Sequence, residues 1–308
     1  MGSSPVSTAI AASAPGRNPL LHRLALRRCV LSAAVLDDVD IFPQRAHAEG
    51  LVLCGVPAAH SRRHPPVPLT WAHIDEATHG HDPDSPGARQ RLTRWLHLVW
   101  WLAELPQEML REAARLIGLP QGHVLHPGRG WALGRVLGGT IELGFGVTGL
   151  DPARAGDVVI VAPSAVRAAG LDTQGWLPPA AERLSRLSDL AAQRRQRDPR
   201  SPLTPYGEAD VLTLLAGRAL RAQLAGCEGD GLALVAVPMR TRAWTRLSLI
   251  DPAYIPLAYA ATEPEMRGLP AALLVTEDEV VLARAGQPAE IALRDVGPPE
   301  PLQIVLRG

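Results

Sequence analysis

The stretch from Trp131 to Gly149, WALGRVLGGTIELGFGVTG, constrains the fold of this 308-residue chain more than any other. It contains Gly144-Phe145-Gly146-Val147-Thr148-Gly149, a match to G-x-G-x-x-G, for which two physical readings compete. A dinucleotide fingerprint needs a strand, then the glycines, then a helix whose N-terminal amides hold the pyrophosphate. Thr140 to Leu143 can supply the strand, but Leu150 to Gly156, LDPARAG, is too short to supply the helix. The next apolar run, Val158 to Val161, arrives too early for a parallel crossover of a dozen or more residues. A hairpin turning at Gly138-Gly139 accounts for the same residues. It sets Arg135 opposite Glu142 as a pair of opposite charge, Leu133 opposite Gly144, and Trp131 opposite Gly146. Each glycine then leaves room for a bulky neighbour across the ladder. The reading is architectural: a hairpin, with no cofactor-binding glycine among these residues.

Around the hairpin, periodicity predicts an α+β or mixed α/β fold. It has a helical N-terminal half, this central β-hairpin, and a mixed C-terminal half ending in antiparallel strands. Residues 1–19, rich in Ser, Ala, Pro and Gly, read as a flexible tail. Residues 20–125 form a mainly helical, histidine-containing region, and residues 126–308 an α/β region. Leu20 to Leu36 predicts a helix with arginines 23, 27 and 28 on one side and leucines on the other. Leu51 to Cys54 is a short strand. Ser85 and Pro86 open a helix with Leu92, Trp95, Leu96, Val99 and Ala103 on one face. Pro106 opens a second, with Met109, Leu110, Ala113 and Ile117 inward and Gly118 and Pro120 as its stop.

Further along, Ser164 is expected to cap a short helix, since the local string lacks the G-x-S-x-G of a nucleophile elbow. Helices are predicted over Pro178 to Arg197, from Thr204 to a stop at Gly226, and around Ala253 to Ala261. The arginines ending the first of these suit a helix C-terminus. Strands are expected at 232–237, 273–275, 280–283, 291–293 and 302–306, with a hairpin loop at Thr276 to Glu279.

Composition narrows the chemistry. Apolar residues make up 46% and charged residues 20%, as in a soluble globular protein, and the formal net charge is zero. No global field therefore favours nucleic acid or an anionic membrane. All 31 basic residues are arginine, which excludes a lysine Schiff base or P-loop lysine and fits a high-GC bacterial genome. Cys29, Cys54 and Cys227 are odd in number and without C-x-x-C, so a reducing cytoplasm is expected, and Cys29 is read as a packed small hydrophobe. The N-terminus lacks a positive n-region and an apolar h-region, so no signal peptide is expected. The longest apolar run, near Trp95 to Leu105, is too short to span a bilayer.

All ten histidines lie at or before His126. His73, His79, His81 and Asp82, spaced H-x5-H-x-H-D, have the donor chemistry for zinc or another divalent metal, although H-E-x-x-H is absent. His60 and His64 lie upstream, while His123 and His126 read as turn residues bonded to backbone. Trp95, Trp100 and Trp101 form an aromatic stripe suited to core or to a subunit interface. Arg240 to Arg246 interleaves cations with Trp244, as a single-strand binder would, but without net positive charge or a recognisable module.

The leading expectation is a non-catalytic binding, regulatory or assembly protein, with a protein partner or a second copy docking on the tryptophan-rich helix pair or on a sheet surface. The alternative is a metal-dependent hydrolase in which His73, His79, His81 and Asp82 hold a metal that activates water. Nucleic-acid binding through Arg240 to Arg246 ranks third.

Overall fold

The computed structural model describes residues 19–43, 50–56, 66–128, 130–136, 140–154, 156–227, 231–245 and 253–283. They form an α+β fold whose strands lie in three antiparallel sheets. The described residues divide into two compact units, one drawn from residues up to 97 and the other from 98 onward.

The first unit opens with α1 (Pro19–Leu36) and then builds a small sheet from β1 (Asp40–Pro43), β2 (Gly50–Gly55) and β3 (Val67–Thr70), in order β1-β2-β3. β2 falls where the strand at Leu51 to Cys54 was expected, and the sheet adds two short strands to an N-terminal region that is otherwise mainly helical. Period-2 burial explains it: Ile41, Leu51, Leu53, Val67 and Leu69 turn inward while Phe42, Cys54 and Pro68 do not. Thr70 then caps α2 (Trp71–Thr78), and α3 (Pro86–Glu104) starts where expected, with Ser85 Oγ accepting the Ala88 N–H at 3.2 Å. Leu92, Leu96 and Val99 are fully buried along it.

In the second unit, α4 (Gln107–Ala113) is shorter than predicted. The chain leaves it as β4 (Ala114–Pro120), so Ile117 lies on a strand and not on a helix face. Spacing alone cannot separate the two, because the Leu116-Ile117-Gly118-Leu119 run suits either period. Long-range pairing decides: β4 pairs with β6 (Ile141–Thr148) from Ala114↔Val147 to Pro120↔Ile141. Gly118 suits this close crossing, because a Cβ would sit 3.1 Å from the Thr213 amide nitrogen, tighter than ordinary contact.

β6 is the hub of its sheet. β4 covers one edge, and the other is shared by β5 (Gly134–Val136) and β7 (Val158–Ile160). The expected register is present, with Arg135 opposite Glu142; the Gly138-Gly139 turn lies outside the described residues. Gly144 and Gly146 are therefore mid-strand with antiparallel neighbours, and among the described residues only the 3-10 turn Pro152–Arg154 precedes β7, which does not fit the dinucleotide fingerprint. One detail differs. Trp131 has left the ladder, and its ring lies against Gly144, where a Cβ would come within 2.4 Å of Cδ2. Gly146 instead makes room for Val158 and Ile117 from the two flanking strands.

The chain continues through α5 (Pro163–Ala168), α6 (Leu177–Arg197), α7 (Val211–Leu215) and α8 (Arg218–Cys227). Ser164 lies inside the first turn of α5 and is not its cap; position Ala162 holds that place with no side-chain bond. The helix expected from Thr204 starts later, because Tyr206 and Ala209 bond to each other and Asp210 Oδ1 caps the Thr213 N–H at 2.7 Å. It also breaks at Gly217, whose bare Cα lets Ser188 of α6 approach.

β8 (Ala233–Met239), β9 (Arg242–Trp244), α9 (Tyr254–Ala261), β10 (Ala272–Val275) and β11 (Val280–Leu282) complete the described chain, with sheet order β11-β10-β8-β9. The Thr276–Glu279 hairpin forms as predicted, and Val275 pairs with Val280. Val235, Val237, Leu273 and Val275 pack in one core with Leu212, Leu215, Leu220 and Leu224. The strands expected at 291–293 and 302–306 lie outside the described residues.

Candidate functional site

The structure does not gather the predicted metal ligands. His73 is spent on the α2 capping box: its Nδ1 accepts the Thr70 N–H at 3.3 Å while Thr70 Oγ1 accepts the His73 N–H at 3.2 Å. His79 ends α2, its N–H bonded to the Glu76 carbonyl. His81 Nε2 lies 3.5 Å from Arg91 Nη1, and Asp82 Oδ1 accepts the Asp84 N–H at 3.4 Å. Of the four, His73 serves the start of a helix with its side chain, and His81 and Asp82 make local contacts in the loop between α2 and α3. Among the described residues, no group of three or more His, Cys, Asp or Glu is placed to hold a metal ion. His60 and His64 lie outside them.

Of the described histidines of the second unit, His123 is hydrogen-bonded at both ring nitrogens, and His126 at Nδ1 with its Nε2 beside a carboxylate. His123 Nδ1 accepts the Leu125 N–H at 3.2 Å and its Nε2–H donates to the Arg267 carbonyl at 3.1 Å. His126 Nδ1 accepts the Gly128 N–H at 3.1 Å, its Nε2 lies 2.9 Å from Glu142 Oε2, and its ring meets Trp131 edge-on at 5.1 Å. A general base needs a lone pair aimed at substrate, and here both rings are committed to local structure.

Burial, and then the charge of Arg240, push the His123 imidazole below its ordinary value. The unfolded chain therefore binds this proton more readily than the folded one, so stability rises with pH between the folded value and about 6.5. Acidifying wild-type protein below about 6.5 is expected to lower its melting temperature, and His123→Gln should flatten that part of the profile. A thermal melt series across this range checks it; identical slopes for the two proteins would refute the assignment.

The arginine segment is likewise engaged. Arg240 donates to Asp210 from Nε at 2.6 Å and packs its guanidinium against the carboxylate that caps α7. Arg242 stacks over Trp244 at 5.6 Å, and Arg246 lies outside the described residues. The tryptophan stripe is mostly covered: Trp95 and Trp100 are buried and Trp101 is half-buried.

The exposed apolar surface lies elsewhere, on α1. Ala25, Leu26, Cys29, Val30 and Ala33 form its buried face, and burial pushes the Cys29 thiol up to about 11, which keeps it unreactive. On the opposite face, Leu20, Leu24, Leu31 and Val35 recur within about 60° of one another by helical geometry. Their exposures are 65, 40, 63 and 70%, and Leu21 and Leu36 elsewhere on the helix are exposed as well. Arg27 and Arg28 share this solvent face, which corrects the expected separation of arginines from leucines.

Both cations are occupied. Arg27 lies over the Trp71 ring at 5.8 Å, and Arg28 holds Asp84 with Nε and Nη2 at 2.8 and 2.6 Å. That hydrogen bond keeps the Asp84 carboxyl below its usual range. The signal was present in the sequence, because a helix with leucines all round needs cover on both faces.

No helix among the described residues is long and apolar enough to cross a membrane. No family model matches the chain, and neither a curated protein nor a solved structure does so.

Proposed function

We propose that this chain is a non-catalytic binding or assembly protein that pairs with a second copy of itself through α1. The observation that supports the reading is the row Leu20, Leu24, Leu31 and Val35, aliphatic and exposed along four turns of helix. Exposed aliphatic residues in a helical row, here two pairs with Arg27 and Arg28 between them, offer anchors to another helix or to a groove. A second copy fits for two reasons. An identical row offers the same spacing, as a two-fold interface requires. The zero net charge sets up no long-range repulsion between copies. Arg28, already paired with Asp84 within its own unit, does not bring unmatched charge into such a contact.

The test is solution mass across a concentration series. Wild-type protein is expected to approach twice its monomer mass of 32.9 kDa. Leu24→Glu combined with Leu31→Glu should remain monomeric with little change in melting temperature, since both side chains are exposed. A wild-type protein that stays monomeric at every concentration, or a double variant that still dimerises, would sink the proposal. No specific observation favours the hydrolase or nucleic-acid readings. Stoichiometric zinc in protein purified without chelator is the result that would revive His73, His79, His81 and Asp82 as ligands.

A further inference from the structure

The second unit carries a cleft of about 260 Å³ whose origin is the way β6 is paired. β5 reaches Leu143 and β7 starts at Gly146, so residues 144 and 145 fall between the two strands that share that edge. Gly144 has no side chain to fill the interval, and the Trp131 indole lies there instead, donating from Nε1 to the Phe145 carbonyl at 3.1 Å. The same carbonyl accepts the Val161 N–H at 3.0 Å. Trp131 and Phe145 line the cleft with Val161, Val166, Leu171 and Thr173.

Both aromatic walls are held in place before anything binds. Trp131 is fixed by its hydrogen bond and by the edge contact with His126, and Phe145 by Trp176, which meets it edge-on at 5.5 Å and 70°. Rigid walls spare a ligand the ordering cost that flexible ones impose.

We propose that this cleft binds a small, uncharged, two-ring aromatic molecule. Size sets the first limit, since an apolar cavity of about 150 Å³ takes benzene and this one is larger. Lining sets the second: two aromatic rings offer edge and face contacts to a further ring, over aliphatic neighbours. Charge sets the third. The two charged lining residues, Arg167 and Asp172, are of opposite sign and exposed, so the site selects neither anion nor cation. The Phe145 carbonyl already accepts two bonds, so no polar group is demanded of the ligand there.

The experiment is a titration of the full chain with quinoline, followed by ligand-observed NMR and by the shift in melting temperature. Saturable one-to-one binding is expected, with phenol binding more weakly and naphthalene-2-sulfonate no more tightly than quinoline. Thr173→Trp, a half-buried loop position, should fill the cleft and abolish the shift, while Leu171→Ala should enlarge it and move preference toward a three-ring probe. No saturable quinoline binding by wild type would overturn the proposal. So would undiminished binding by Thr173→Trp, or a marked preference for the sulfonate. The outcome is independent of pairing through α1, which lies in the other unit.

Discussion

Gly144→Ala is expected to destabilise the protein by about 3 kcal/mol, although it adds one methyl group to a strand. The new Cβ would stand 2.4 Å from Trp131 Cδ2 and 2.7 Å from its Nε1, with another ring atom closer still, and an indole has no soft end to yield. Trp131 is only 2% exposed and its indole is held between Gly144 and the edge of His126, so it could yield only by shifting toward the cleft it lines. Moving it would break the bond to the Phe145 carbonyl and leave a buried indole N–H without an acceptor, a loss of about 1–3 kcal/mol. Overpacking adds about 1–3 kcal/mol, against which alanine's smaller unfolded-state entropy returns less than about 1 kcal/mol.

For a unit of this size, that loss lowers the melting temperature by roughly 6–12 °C. Gly134→Ala is the control, because nothing lies within 4 Å of a Cβ there, and it should be near neutral. The sharper check is a double-mutant cycle. In a Trp131→Ala background, itself costly, adding Gly144→Ala should cost almost nothing more, since the obstructing ring is gone. Equal costs in both backgrounds would show that the indole is not the reason for the glycine.

The same glycine shows how far the sequence could be read. Its place in a hairpin rather than a phosphate loop followed from what came next, a segment too short for a helix and a strand too near for a crossover. The register of Arg135 against Glu142 followed from turn chemistry, and both are present in the fold. The partner of Gly144 did not follow. Ladder counting put Leu133 there, but Trp131 leaves the strand before pairing, and where a ring settles depends on packing that no linear spacing encodes.

Ile117 failed for a related reason. Its spacing from Leu110 and Ala113 is helical, yet β6 offers it a ladder, and tertiary pairing overrides a short local pattern. The histidine cluster is the converse case. His73 and Asp82 are residue types that ligate metals, but the same hydrogen-bonding capacity serves caps and turns, and here His73 closes a capping box and Asp82 a loop turn. The α1 row was legible in principle, since its leucines occupy every face, but reading one side as polar concealed it. Of the β1-β2-β3 sheet, β2 was legible at Leu51 to Cys54, whereas β1 and β3 were hidden because they are short and carry proline, which ranks low among strand formers.

Glu208→Leu is expected to cost about 3 kcal/mol, because it strands two arginines that converge on one carboxylate. Arg115 of β4 reaches Glu208 Oε1 from Nε at 2.7 Å, and Arg183 of α6 donates to both oxygens, at 2.7 and 3.1 Å. The carboxylate thus ties a strand to a helix across the segment leading into α7, and its side chain is only 13% exposed. Burial raises its carboxyl pKa, but the Arg183 hydrogen bond and the charges of Arg183 and Arg115 outweigh it, so the net shift is downward.

The pH dependence follows with a definite sign. The folded carboxyl binds its proton less readily than the unfolded one. Its contribution is therefore full above about 4.3 and is lost as pH falls through the lower folded value. The gap in stability between wild type and Glu208→Leu should narrow on acidification across that window. The two arginines should differ as well. Arg115, at 17% side-chain exposure, should cost more to replace with leucine than Arg183, at 36%, where water screens the pair. Denaturant unfolding of the three single variants, with the Arg115→Leu/Glu208→Leu double, checks each point. A double variant costing clearly less than the sum of its singles is the signature of a shared ion pair, whereas strict additivity would assign the losses to packing alone.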